Sequence, residues 1–297
     1  MLFRSHMPSH IFFRIGRYSD AAQANLRAAE VDEAYIAACN AQGFYPALYY
    51  PHNIHFLWSA STMQGQSALS IESARRVVEN VRVEQVKAFP TIEFFRTVPL
   101  LSLVRFAKWD DILAEPQPHE GFMFARSVWH YARGVAYAAK GLSEAANAEL
   151  AMLEPLKDDV SVRFLDSRDY PGSALVGIAI HLLHGEIAYR GGEFDQAVSH
   201  FEQAVAAQDL LPYTEPPFWY YPTRQSLGAA LAAGGKHAEA EAVFRKDLKQ
   251  YPHNGWSMFG LAQSLTAQGK IEEAAKAKMH FETIWQFADV ELTASIL

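Results

Sequence analysis

Cysteine is almost absent: Cys39 is the single one in 297 residues. One thiol excludes an internal disulfide framework and any thiolate-rich zinc module. Charge is sparse at 20% of residues and leans acidic, with 26 Lys and Arg against 33 Asp and Glu, a net of −7. With no Lys/Arg cluster, neither nucleic acid nor an anionic membrane is expected as a partner. No apolar run approaches the ~20 residues that cross a bilayer. The chain also lacks a GxxxxGK[ST] loop, a GxGxxG turn after a strand and a GxSxG elbow, so no nucleotide cofactor or serine nucleophile is expected. Alternating β-branched runs bounded by hairpin turns are missing, which leaves an all-α chain. The opening MLFRSHMPSHIFFRIGRY does not have the charged, apolar, small order of a signal peptide, which predicts a cytoplasmic protein. It reads as the middle of a helix, an expectation that the natural chain continues upstream.

What is plentiful is core material: 50% of residues are hydrophobic and 13% aromatic. A spacing recurs through it, a Gly, four residues, then Ala or Ser. It occurs at Gly16/Ala21, Gly65/Ser70, Gly141/Ala146, Gly192/Ala197, Gly235/Ala240 and Gly269/Ala274. Each Gly follows an apolar-periodic stretch and each small residue opens another. Gly with left-handed freedom closes one helix and the small residue lets the next pack closely, which predicts a helical hairpin each time. A seventh, Gly-less hairpin is expected around Phe94 to Glu115, with Lys108, Trp109 and Asp110 at its turn. Cys39, in the apolar context EAYIAACNA, is expected to be a buried, inert thiol.

The unit at 221–254 shows the pattern most openly: Leu227 and Gly228, Gly235, Ala240, Phe244 and Pro252. These spaced small and large positions resemble a tetratricopeptide repeat, and Gly185, Gly192, Ala197, Phe201 and Ala204 match in the same way. The resemblance extends over 1–297 as a single solenoid, degenerate over 1–126 and clearer over 127–297. It implies a right-handed superhelix of about seven hairpins, concave on the side of the first helices. Units are expected to begin near 2, 51, 93, 127, 178, 221 and 255, at intervals of 34 to 51 residues. The surplus falls in NAQGFYPALYYPHN, DDVSVRFLDSRDYPG and DLLPYTEPPFWYYP, Pro- and aromatic-rich segments expected to fold back on the solenoid. HMPSHIFFRIGRYSDA, YYPHNIHFLW, EPPFWYYPTRQSLGAAL and DLKQYPHNGWSMFGLAQ further resemble a bacterial subfamily of these proteins, which implies recurring surfaces and supplies no reaction.

The 12 histidines are unevenly placed. His6 and His10 are four apart and His52 and His55 three apart, so on helices each pair shares a face and can grip one metal ion. In tetratricopeptide repeats the first helices of successive units lie side by side with positions 2, 5, 9 and 12 lining a groove. That resemblance implies that all four imidazoles converge there. Imidazole suits Zn, Cu, Ni or Fe, and Glu30, Asp32, Glu33 and Tyr50 are candidates to orient the ligands. Against this, Pro8 can bend the first helix, and His52 can sit in a loop with Asn53 as the helix cap. Glu186 falls at a groove position, whereas His181, His184 and His130 read as packing. Trp219 and Tyr220 form a candidate recognition wall, Arg224 a carboxylate or phosphate clamp and Trp256 a groove contact. Two readings remain. One is a binding module that holds a peptide, protein partner or small molecule in the groove. The other is a metal-dependent enzyme, hydrolytic or oxidative, built on His6, His10, His52 and His55. An uncapped first repeat would also expose an apolar face that invites dimerisation.

Overall fold

Seven times among its described residues the chain ends one helix and begins another with the same hydrogen-bonded closure. The computed structural model describes residues 6–39 and 49–297. At Gly16 the Arg17 N–H donates to Phe12 O at 2.8 Å and the Gly16 N–H to Phe13 O at 3.1 Å. This pair of bonds recurs at Gly65, Gly141, Gly192, Gly235 and Gly269, each glycine with φ between 71° and 79°. It satisfies carbonyls that a helix end would leave orphaned. The seventh closure uses Ala107 at φ 54°, with Lys108 N–H on Leu103 O at 2.9 Å. The expected Gly-less hairpin is therefore present, its turn just ahead of Trp109.

The hairpins so made are α1 (Met7–Arg14) with α2 (Tyr18–Cys39), α3 (Tyr50–Met63) with α4 (Ser67–Glu79), and, beyond the short α5 (Val83–Ala88), α6 (Val98–Arg105) with α7 (Trp109–Ala114). Then come α8 (Met123–Ala139) with α9 (Ser143–Leu153) and, after the short α10 (Val160–Asp166), α11 (Gly172–Arg190) with α12 (Phe194–Asp209). The last two pairs are α13 (Arg224–Ala233) with α14 (His237–Gln250) and α15 (Gly255–Ala267) with α16 (Ile271–Ile284). Among the described residues there is no strand, and the chain is an all-α array of helical hairpins, as expected.

Small residues let the paired helices approach. A Cβ on Gly228 would lie 2.4 Å from the Phe244 ring, and Ala21, Ala146, Ala197 and Ala240 are all fully buried. Of the inserted segments, NAQGFYPALYYPHN falls mostly on 40–48, outside the described residues. The second forms α10, whose Val162 and Leu165 are buried. The third folds inward between hairpins: Tyr220 Oη lies 3.0 Å from Tyr131 Oη, and Phe218 meets Tyr170 edge-on at 5.5 Å.

The two ends of the array touch. Trp256 donates its indole N–H to Thr62 O at 3.2 Å, Trp285 covers Gly65, and the Asp289 carboxylate accepts the Ser67 and Ala68 N–H groups at the start of α4. Gly16 in turn lies against Pro252. In place of an unbroken concave groove, the first two hairpins and the last two are in direct contact. Cys39 departs from expectation too: it is exposed, because the last turns of α2 run beyond the cover of their neighbours.

Glu93, in the 3-10 turn Pro90–Thr97, caps α8 from outside by accepting the Ala125 N–H at 2.8 Å. It is 5% exposed, and burial pushes its carboxyl up to about 7 despite those backbone bonds.

Two predictions come from this packing. Gly65→Ala and Gly141→Ala both meet positive φ, but an added Cβ at 65 lies 2.3 Å from Trp285 and at 141 meets nothing. Urea unfolding should show a loss of about 1–2 kcal/mol for Gly141→Ala and a clearly larger one for Gly65→Ala. Ala107→Gly should gain up to about 1 kcal/mol. Equal losses at 65 and 141 would contradict the closure. For Glu93 the folded form holds its proton more tightly than the unfolded form. Its contribution is therefore full below about pH 4.5 and is lost as pH rises to about 7. Across that window the wild type should lose about 3 kcal/mol relative to Glu93→Gln, and parallel stability–pH curves would show that Glu93 carries no such burden.

Candidate metal centre and its aromatic chamber

His6 immediately precedes α1 and His10 lies one turn inside it, with Pro8 in the first turn, where a missing N–H removes no ladder bond. The bend that Pro8 threatened does not arise. Pro51 likewise falls in the first turn of α3, so His52 is helical, and Asn53 donates to Asp32 at 2.7 Å instead of capping the helix. Adjacent first helices then bring three imidazoles together. His6 Nε2 is 3.0 Å from His10 Nε2 and 3.2 Å from His52 Nε2, and one ligand atom from each ring fits within 4.8 Å. Phe56, one turn after His52 and fully buried, floors the cluster, with ring centres 4.7 Å from His10 and 5.5 Å from His6.

Two of the rings have fixed tautomers. Asn25 donates its amide to Ala21 O at 2.8 Å, so its Oδ1 faces His6 Nδ1 at 2.6 Å and must accept the proton there. Glu215 Oε2 accepts from His10 Nδ1 at 2.7 Å, and the Tyr213 hydroxyl donates to its other oxygen. When neutral, His6 and His10 therefore turn bare Nε2 lone pairs toward each other. Such a pair repels unless a proton or a metal cation lies between them. A proton is disfavoured on His6 and on His52. Burial lowers His6, offset in part by the Asn25 bond, and burial together with the neighbouring rings lowers His52 to about 4. Nitrogens around one tetrahedral zinc would stand about 3.3 Å apart, close to the two short separations.

His55 does not join them. Three residues beyond His52 its ring is rotated by roughly 60° around the helix, enough to face the next hairpin. There it stacks on Trp58 at 5.0 Å, and burial lowers it to about 3. It lines, with His52 and Glu215, a chamber of about 210 Å³ walled by rings that include Trp58, Phe124, Trp219 and Tyr220.

The remaining candidates are dispersed. The Tyr50 hydroxyl donates to Glu33, which also takes Arg76 at 2.7 Å, and burial followed by that Glu33 bond pushes the phenol up to about 12. Glu186 is buried beside Arg190 at 3.4 Å, its carboxyl pushed up by burial. Arg224 spends its fork internally on Asp209 and on Gln250 at 3.3 Å, and Trp256 is fully buried in the closure. Glu30 is exposed. His130 packs as read, bonded to Glu149 at 2.7 Å, while His181 and His184 are half-buried. The orienting residues that the sequence reading missed are Asn25 and Glu215. An Asn among the alanines of AAQANLRAA was a signal for the first; nothing local marked the second.

The tetratricopeptide repeat family model matches residues 226–246, within the unit whose spacing carries the resemblance. A solved tetratricopeptide repeat protein from Parabacteroides merdae is similar over 96% of this chain and 98% of its own, with 13% identity and a TM-score of 0.40. No curated protein matches the chain. Among the described residues no helix is long and apolar enough to cross a membrane.

Proposed function

We propose that His6, His10 and His52 bind one divalent transition metal through Nε2, and that the hairpin array is a binding scaffold presenting this ion to a small molecule in the chamber. The observation that carries the reading is the pair of bare nitrogens 3.0 Å apart, fixed in tautomer by Asn25 and Glu215. Such partners orient metal-bound imidazoles and raise their basicity. Zn, Cu, Ni and Fe all suit a three-imidazole set, and geometry and supply select among them. A quarter of the His10 side chain is exposed, which provides a route of entry. The repeat at 226–246 suggests an interaction module, in keeping with a scaffold role. Three ligands leave a tetrahedral ion one open position, the pattern of catalytic rather than structural sites. That openness favours, as a second reading, a metal-dependent enzyme of hydrolytic or oxidative type.

Elemental analysis of the purified, untagged protein checks the proposal. About one ion per chain is expected, lost in His6→Ala and His52→Ala and kept in His55→Ala. Glu215→Gln should weaken affinity by about 10–100-fold. No uptake after incubation with Zn, Cu, Ni and Fe under reducing conditions would sink the metal site, as would undiminished uptake in His52→Ala.

A further inference from the structure

His55 is 8% exposed and makes no hydrogen bond among the described residues; its contacts there are rings, stacked on Trp58 and edge-on to Phe94 at 5.4 Å and Phe95 at 5.5 Å. A buried imidazole without a polar partner is costly and calls for an explanation. This one lines the chamber beside the histidine cluster, where a ligand atom can reach it. Held neutral by its burial, it offers one donor and one acceptor.

The rest of the wall narrows the choice of ligand. Glu215 is the one formally charged residue in it, and both its oxygens are already engaged by His10 and Tyr213. With no lysine or arginine in the lining, a carboxylate or phosphate entering the metal-free chamber would lose its hydration and gain no counter-charge. Around His55 the lining is instead aromatic and aliphatic, Trp58, Phe124, Trp219 and Leu101 among it. Ring faces and edges of this kind suit another ring, and a chamber of about 210 Å³ suits a single one.

We infer that the chamber takes a small uncharged hydroxylated aromatic of the phenol class, its ring among the aromatic walls and its hydroxyl on His55. This deepens the reading above, resting on its chamber and not on its ion. His55 acts as the specificity residue, because a ligand without the hydroxyl leaves the imidazole unpaired.

Calorimetric titration, paired with tryptophan fluorescence from Trp58 and Trp219, tests the inference on the EDTA-treated and the zinc-treated protein. Phenol should saturate one site in both, with toluene in both, and benzoate in the EDTA-treated protein, at least about tenfold weaker. His55→Leu should erase the preference for phenol over toluene. Val128→Trp, which fills the chamber, should abolish phenol binding while retaining helical circular dichroism and metal uptake; Thr97→Phe is the smaller filling variant if the first does not fold. Phenol that fails to saturate, benzoate that binds the EDTA-treated protein as well as phenol does, or filled variants that bind phenol like the wild type would each overturn it. Metal uptake is read separately on the same samples. Phenol binding without uptake removes the metal reading and keeps this one, and uptake without phenol binding does the reverse.

Discussion

Arg105 comes from the third hairpin, yet its guanidinium carbon lies 3.5 Å from the Trp256 ring centre in the seventh and 4.9 Å from that of Tyr221 in the inserted loop. Its Nη2 donates to Gln225 of the sixth hairpin. Burial lowers it to about 10, so it remains a cation at neutral pH inside the molecule. Asp247, the carboxylate that acts on it, is pushed up to about 6 by its own burial. A desolvated cation over an aromatic face is worth ~2 kcal/mol or more, and removing the ring would leave an uncompensated charge. This contact ties four parts of the chain into one closed superhelix. Within it the later part of the inserted loop, from Pro216 to Thr223, turns inward, and Glu215 at its start reaches His10, 205 residues away in sequence.

The site inherits its chemistry from that enclosure. Desolvation keeps His52 and His55 neutral, the state in which imidazole is a ligand or a neutral hydrogen-bond partner. Neutrality alone does not make a site. Asn25 and Glu215 select the tautomers so that the free nitrogens converge, while His55, released from the cluster by a rotation around its helix, supplies the chamber with a neutral polar group. One helix turn thus serves two purposes: His52 faces the cluster, His55 faces the chamber, and Phe56 floors the first.

The hairpin array was legible because its determinants are local. At the six Gly turns a left-handed residue and a small residue five positions later fix a hairpin whatever surrounds it, and even the Gly-less turn near Lys108 could be placed. His6, His10 and His52 were legible for the same reason, being set by helical spacing and by the adjacency of first helices. Closure was not, since it depends on contacts such as Trp256 with Thr62 and Trp285 with Gly65 that no periodicity encodes. Trp219 and Tyr220 therefore read as a recognition wall, Arg224 as an anion clamp and Trp256 as a groove contact. In the folded chain Trp256 and Arg224 are buried structural members, and Trp219 and Tyr220 line an internal chamber. Glu215 drew no attention in the sequence because its partner is brought to it only by the closed superhelix.

The central claim is that three Nε2 atoms converge on a position suited to a cation. The most direct test is an anomalous difference map from crystals grown with zinc. The account predicts one strong peak about 2.0–2.1 Å from Nε2 of His6, His10 and His52, with the Nδ1 atoms still bonded to Asn25 and Glu215. A map without a peak there, a peak ligated through Nδ1, or zinc found only at another histidine pair such as His253 and His280 would contradict it.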